Sequence, residues 1–409
     1  MEYKKIKLKE IVNIVMGQSP KGSSYNSVEN GIPFLQGNRT FGNLYPTIDT
    51  WTTEPTKIVN PHSILMSVRA PVGDLNIADQ KYCIGRGLCS IEMKNGNNRF
   101  LYYLLKNSII EIKNKSFGTV FESINRNELE NINVINFDEE TQKKLESILK
   151  TIDDKIELNN QTNDNLQKLV NGLYIKYFVN FDGYIGEYKD TDLGMIPEIF
   201  NVDTLGNVIT FSNGYGWNSK DMLDVGSEDT YKVFKMGNIN IGGGINKSKT
   251  KSWIEKDKTS NLEQYITKKG DILMCMTDMK NSGNPLLGHT ALIDKDDEFV
   301  INQRVGIIRC NKGLGYSYIY TMSNLKYFIN DIRSRANSGV QVNLTTKGIC
   351  DTLVLVPDDN TLNKFQQVAE PLYEKIFNNN NENETLEQLR DTLLAKLMHG
   401  EIDLDKIEI

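Results

Sequence analysis

Side chains able to read nucleic-acid bases are concentrated on glycine-rich stretches of this 409-residue sequence. Gln18, Ser19 and Lys21 sit in residues 17–26, beside Gly17 and Gly22. Gln36, Asn38 and Arg39 follow a strand-like run, and Arg69, Lys81 and Arg86 fall at strand ends. Residues 117–120, with Thr119, lead to Ser123, Asn125 and Arg126. The second half repeats the pattern with Trp217 and Asn218, Asn238 and Asn240, Gln303 and Arg304, then Gln341, Asn343, Thr345 and Lys347. Arg, Lys, Asn and Gln hydrogen-bond base edges in the major groove, while Ser, Thr, Lys and backbone N–H groups suit phosphates. The expected chemistry is DNA binding by loops held on a rigid scaffold. Taken singly, each loop also reads as a turn. Lys247 and Lys249, clustered with Lys251, Lys256 and Lys258, fit phosphate contacts or the solvated face of a hairpin. Arg335, with Arg333, closes a helix, where a cation also complements the dipole.

Catalytic constellations are missing. No G-x-x-x-x-G-K-[ST] occurs, and no G-x-G-x-x-G opens a helix after a strand. The Asp/Asn-Pro-Pro-aromatic motif of amino-group methyltransferases is also missing. Asp153-Asp154-Lys155 resembles the end of a metal-nuclease motif but falls mid-helix, so a solvated helix face is expected. Asp79, Asp271, Asp278 and residues 294–298 fit no metal-loop spacing and read as surface turns. Cys83 and Cys89 read as core thiols. His62, His289 and His399 have no partner motif and read as structural. No cofactor and no metal are expected on this chain.

Such loops need a frame, and the sequence supplies it twice. At 46.5 kDa the chain exceeds the ~250–300 residues that one core usually serves, so two or more units are expected. From 141 to 178, apolar residues at Leu145, Leu149, Ile152, Ile156, Leu166, Val170, Leu173 and Tyr177 step by four and three, with Asn159 and Asn163 filling the two missing seam positions. At a constant offset of 220, Phe365, Leu372, Ile376, Leu386, Leu393 and Leu397 match six seam positions of the first helix, and Asn379 and Asn383 match the asparagines. A repeat this long decides the architecture. Each globular part is expected to be α+β, with short strands and a helix near 100–113 or 317–332. The expected plan is domain 1–137, long helix 138–178, linker 179–196, domain 197–357, long helix 358–400 and tail 401–409. The first helix would run about 57 Å. The second would return along it as an antiparallel coiled coil with a domain at each end and a pseudo-two-fold axis between them.

Charge follows the same division. The total is −6, yet residues 1–137 carry 16 basic and 12 acidic groups, and residues 197–357 carry 19 and 17. The helical segments are acidic: residues 138–196 carry 7 basic and 12 acidic groups, and residues 358–409 carry 5 and 12. Weakly basic domains suit a polyanion, and acidic helices suit protein partners. Five cysteines without C-x-x-C argue against a disulfide framework. No apolar run spans a bilayer and no signal peptide opens the chain, so a cytoplasmic protein is expected.

With these residues in view, the chain resembles the DNA-specificity subunit of Type I restriction–modification systems over essentially its whole length. The likeness rests on the duplicated plan and on Gly17-Gln18-Ser19-Pro20, Gly31-Ile32-Pro33-Phe34, residues 64–71, Gly85-Arg86-Gly87, residues 118–124 and 142–159, and Leu193-Gly194-Met195-Ile196-Pro197. One departure is Phe137, which stands where Pro357 precedes the second helix. The resemblance implies two target-recognition domains reading a bipartite, asymmetric duplex site. It implies two methyltransferase subunits docked on the helices, and motor/nuclease subunits beyond them. S-adenosylmethionine, ATP and Mg then belong to those partners, and this chain is not an enzyme by itself. Half-sites about 34 Å apart are within reach of a coil that long. The asparagines would set coil register or break both helices where partners dock. Two other readings compete: a coiled-coil protein–protein adaptor without DNA specificity, and an enzyme with a cryptic metal site.

Overall fold

The computed structural model describes residues 4–116, 123–279, 285–311, 313–337, 339, 341–402 and 404; Thr119 lies outside them. The chain forms two compact units, Met1–Gln161 with Asn380–Ile409, and Thr162–Asn379. Within the first, a four-stranded antiparallel sheet runs in the order Val12–Met16, Leu88–Met93, Ile64–Ser67, Leu75–Ile77. Ile64–Ser67 has a neighbour on both edges and is buried throughout, whereas the edge strand Val12–Met16 alternates buried Val12 and Ile14 with exposed Asn13 and Val15. A second sheet pairs Phe34 with Cys83 in parallel. Lys4–Lys7 pairs with Asn133–Asn136 and closes the unit.

The second unit repeats this topology. Its four-stranded sheet is ordered Thr210–Asn213, Val305–Arg309, Ile272–Cys275, Thr290–Leu292. Thr230–Phe234 pairs in parallel with Phe299–Ile301, as Phe34 does with Cys83, and Asn201–Thr204 closes against Leu353–Val356. Two expectations need correction. Each expected single helix is a pair, Asn98–Asn107 with Ile109–Ser116 and Tyr316–Ser323 with Lys326–Ser334. In the first pair the Ser108 hydroxyl donates to the Leu104 carbonyl at 2.9 Å, the local bonding by which serine ends a helix. The stretch read as linker carries a hairpin, Tyr188–Thr191 with Gly194–Pro197, turned at Gly194 in the left-handed region.

The long helices are Glu139–Phe178 and Asp359–Met398, and both run unbroken through their asparagines, so the helix-breaking alternative fails. Their starts are set by equivalent aspartates. Asp138 accepts the Thr141 N–H at 2.9 Å, and Asp358 accepts those of Asn360 and Thr361 at 3.0 and 3.2 Å. Phe137 in place of proline therefore leaves the start unmoved. In each unit the two helices pair antiparallel. In the first unit, Asp153 meets Arg390, and the Asn159 amide donates to Asn383 Oδ1 at 2.8 Å. In the second, Asn379 donates to Asn163 at 2.8 Å and Tyr174 packs on Phe365. Leu145, Leu149, Ile156, Phe365 and Leu397 are buried as expected. Elsewhere the seam lies one residue later: Tyr174, Tyr373, Phe377 and Leu394 are buried, while Leu173, Leu372, Ile376 and Leu393 are half-buried. Ile152, Leu166 and Leu386 are half-buried too. A straight helix drifts about 20° per heptad against a strict 3.5 step, and these ends also face their own unit's core.

Candidate nucleic-acid interface

Six backbone hydrogen bonds gather the polar loops of the first unit. Gly17 N–H donates to Leu88 O at 2.9 Å, Gln18 to Ile84 at 2.9, Gly85 to Leu35 at 2.8, Leu88 to Gly85 at 3.0, Val68 to Gly87 at 2.9 and Ile124 to Val68 at 3.1. The second unit makes the same six. Gly214 donates to Val305 at 2.9 Å, Tyr215 to Ile301 at 2.9, Asn302 to Phe234 at 3.0, Val305 to Asn302 at 2.9, Met276 to Arg304 at 3.1 and Leu344 to Met276 at 2.8. Glycine is required at the first of these places. A Cβ on Gly17 would run into the Gly85 carbonyl, and one on Gly214 into that of Asn302. The frame is completed where Arg69 bridges Ser123, matched by Thr277 pairing with Asn343.

This frame brings Gln18, Ser19, Gln36, Arg69, Arg86 and Ser123 together in one unit. It brings Gln303, Arg304, Gln341 and Asn343 together in the other. The chain has ten arginines, and seven are engaged internally. Arg39 pairs with Asp49, Arg99 and Arg390 with Asp153, Arg126 with Glu130, Arg309 with Asp271 and Arg335 with Asp331. Arg333 donates to the carbonyls of Pro285 and Leu287. The three with no side-chain hydrogen bond or ion pair among the described residues are Arg69, Arg86 and Arg304, all exposed and all on the frame. A guanidinium held in solvent without a partner retains its whole fork for an incoming anion or base edge.

Other expected readers serve the fold. Trp217 is buried and donates from Nε1 to the Ile301 carbonyl at 3.0 Å. Asn238 is 1% exposed, with its amide on Asn246 O and Thr250 Oγ1. Asn125, Asn218 and Thr345 cap short helices through their side-chain oxygens. Asn38 donates to Asp74 at 2.6 Å, and Asn343 accepts from Thr277 at 2.8 Å. Lys247 lies between Asp294 and Glu298 at 3.3 and 2.9 Å, which removes it as a plain phosphate contact. The Arg39 guanidinium holds the Asp49 carboxyl below its usual range. Lys21, Lys81, Asn240, Lys249 and Lys347 are exposed. Tyr215 takes the place of Gln18 in the second unit, a position found only by setting Gly214 against Gly17.

The acidic candidates are structural as well. Asp153 is buried, contrary to the solvated face expected, and accepts from Tyr103 at 2.7 Å and Arg390 at 2.8 Å. Asp271 and Asp294 are buried and paired with cations rather than placed on surface turns. Asp278 is also buried and caps backbone N–H groups, among them that of Leu286 at 2.5 Å. Among the described residues, no group of three or more His, Cys, Asp or Glu is placed to hold a metal ion. No helix among them is long and apolar enough to cross a membrane.

Residues 1–168 match the family model described as the Type I restriction modification DNA specificity domain. A Methanocaldococcus jannaschii protein named as the specificity subunit of type I restriction enzyme MjaX is 44% identical over 157 residues, which span 38% of this chain and 37% of that relative. The MjaIX specificity subunit of the same organism is 25% identical over 84% of this chain and 78% of its own length. The crystal structure of a Type-I restriction-modification system S subunit from M. genitalium superposes with a TM-score of 0.52, at 17% identity, over 97% of this chain and 96% of that one. That last likeness concerns the fold alone.

Proposed function

We propose that the chain, whose residues 1–168 match the Type I restriction modification DNA specificity domain, is a specificity subunit that reads duplex DNA for such a complex without catalysing any step itself. The observation that carries this reading is the placing of the three unpartnered arginines, on one repeated frame in both units. Two unlike sets of loops on like scaffolds suit two unlike half-sites, and hence a bipartite, asymmetric target. Exposed lysines beside the frame supply phosphate contacts, which set register but carry no sequence information. The acidic long helices offer the surface for two methyltransferase subunits, with motor/nuclease subunits joining the complex. S-adenosylmethionine, ATP and Mg then reside in those partners, and the methyl transfer and cleavage are theirs.

The test is binding by the full chain assembled with the methyltransferase subunits of its source genome. Affinity for a duplex carrying the genomic methylation site should exceed that for a scrambled duplex by about 10³-fold or more. Affinity should fall steeply with salt, as counterion release requires. Equal affinity for both duplexes would reject the reading.

A further inference from the structure

Resting on the DNA-reading role above, we propose that Arg86 and Gln303 are equivalent specificity-determining positions, Arg86 selecting a guanine in one half-site and Gln303 an adenine in the other. Both residues stand at the same place on the repeated frame. Gly85 and Asn302 each donate to the end of the neighbouring strand, at Leu35 and Phe234, and each accepts the N–H three residues on, from Leu88 at 3.0 Å and Val305 at 2.9 Å. Arg86-Gly87 and Gln303-Arg304 are therefore the two central residues of matching tight turns. The turn position after Arg86 carries no side chain in the first unit, and a Cβ on Gly87 would crowd the Gln36 carbonyl. The first turn position is thus the one that bears a base-reading side chain in both units.

The turn is held before any ligand arrives. Arg86 N–H donates to Ser19 Oγ at 3.2 Å, and Tyr215 bridges Asn302 in the second unit. A reader on a fixed backbone loses less freedom on binding, which favours discrimination. Neither side chain has a hydrogen-bond partner among the described residues, and both are exposed. The chemistry then assigns the bases. An arginine fork matches O6 and N7 of guanine, and a glutamine amide matches N6 and N7 of adenine. Arg304, at the place of Gly87, acts as a phosphate contact beside Gln303.

Selection from a random duplex pool by the full chain with its methyltransferase subunits tests this assignment. Arg86→Gln should change one guanine to adenine in one half-site, and Gln303→Arg one adenine to guanine in the other. Each preference should shift by about tenfold or more while the opposite half-site is retained. Arg304→Ala should weaken binding to all sites alike. An unchanged consensus in both exchange variants, or a change in both half-sites from one substitution, overturns the assignment. If the unsubstituted chain selects no consensus, the DNA-reading role itself fails; if it does and the variants copy it, only this assignment fails. The exchanges lie in different units, so misfolding of one variant, seen by circular dichroism, leaves the other decisive.

Discussion

At the scale of single residues, His289 links one loop of the second unit to pH. It is buried, and Nδ1 accepts the Gly242 N–H at 3.2 Å, which a proton on that nitrogen would abolish. Burial, reinforced by the charge of Arg333, holds its pKa below the ordinary 6.5. The unfolded imidazole takes its proton near 6.5 while the folded one stays neutral to lower pH. The unfolded state therefore binds more protons in that window, and stability falls as pH drops through it. The slope is at most about 1.4 kcal/mol per pH unit. Urea midpoints at pH 7.5 and 5.5 should converge in His289→Asn relative to the unsubstituted chain, and an unchanged difference would reject the role. Little of this is legible in the sequence, where a histidine without a motif carries no sign of burial. Trp217 and Asn238 show the same limit: their types fit DNA reading, but burial turns their donors inward. Arg86 was legible because Gly85 and Gly87 flank it in a strand-end turn.

At the scale of elements, the helix pair is held by polar devices as much as by its apolar seam. Asp153 is the sharper case, with Arg390 at 2.8 Å, Tyr103 at 2.7 Å and Arg99 at 3.5 Å around one buried carboxylate. Asp153→Leu leaves Arg390 buried without its main counter-charge and should cost about 3–5 kcal/mol in urea unfolding. Asp153→Leu combined with Arg390→Met should recover most of that loss, because apolar pairs of similar volume replace buried ion pairs at little cost. A double variant no more stable than the single would show that the loss comes from packing rather than from the stranded charge. The 220-residue offset and the asparagines were readable because identical spacing recurs. The ion pair was not, because Tyr373 stands where the offset would place its counterpart, so nothing repeats. The one-residue displacement of the seam was hidden for a related reason. A strict heptad step ignores the helix's own 3.6-residue turn, and the sequence does not show where a helix leaves its partner for a domain core.

At the scale of the whole molecule, the two units differ in how the chain supplies them. The second is one continuous segment, Thr162–Asn379, whereas the first combines Met1–Gln161 with Asn380–Ile409. Leu394, Leu397, Met398 and Leu404 lie in the same apolar core as Leu145 and Leu149. A fragment of residues 162–379 should therefore melt cooperatively by circular dichroism. Residues 1–161 should be protease-sensitive alone and become protected when residues 380–409 are added in trans. Cooperative melting of 1–161 by itself would reject this dependence. During synthesis, the portion emerging first from the ribosome then waits while some 240 further residues are made, on the order of 12–50 s. The last-made reading surface is finished before the first-made one, and a nascent chain stalled near residue 380 would expose an open apolar face for chaperones to shield.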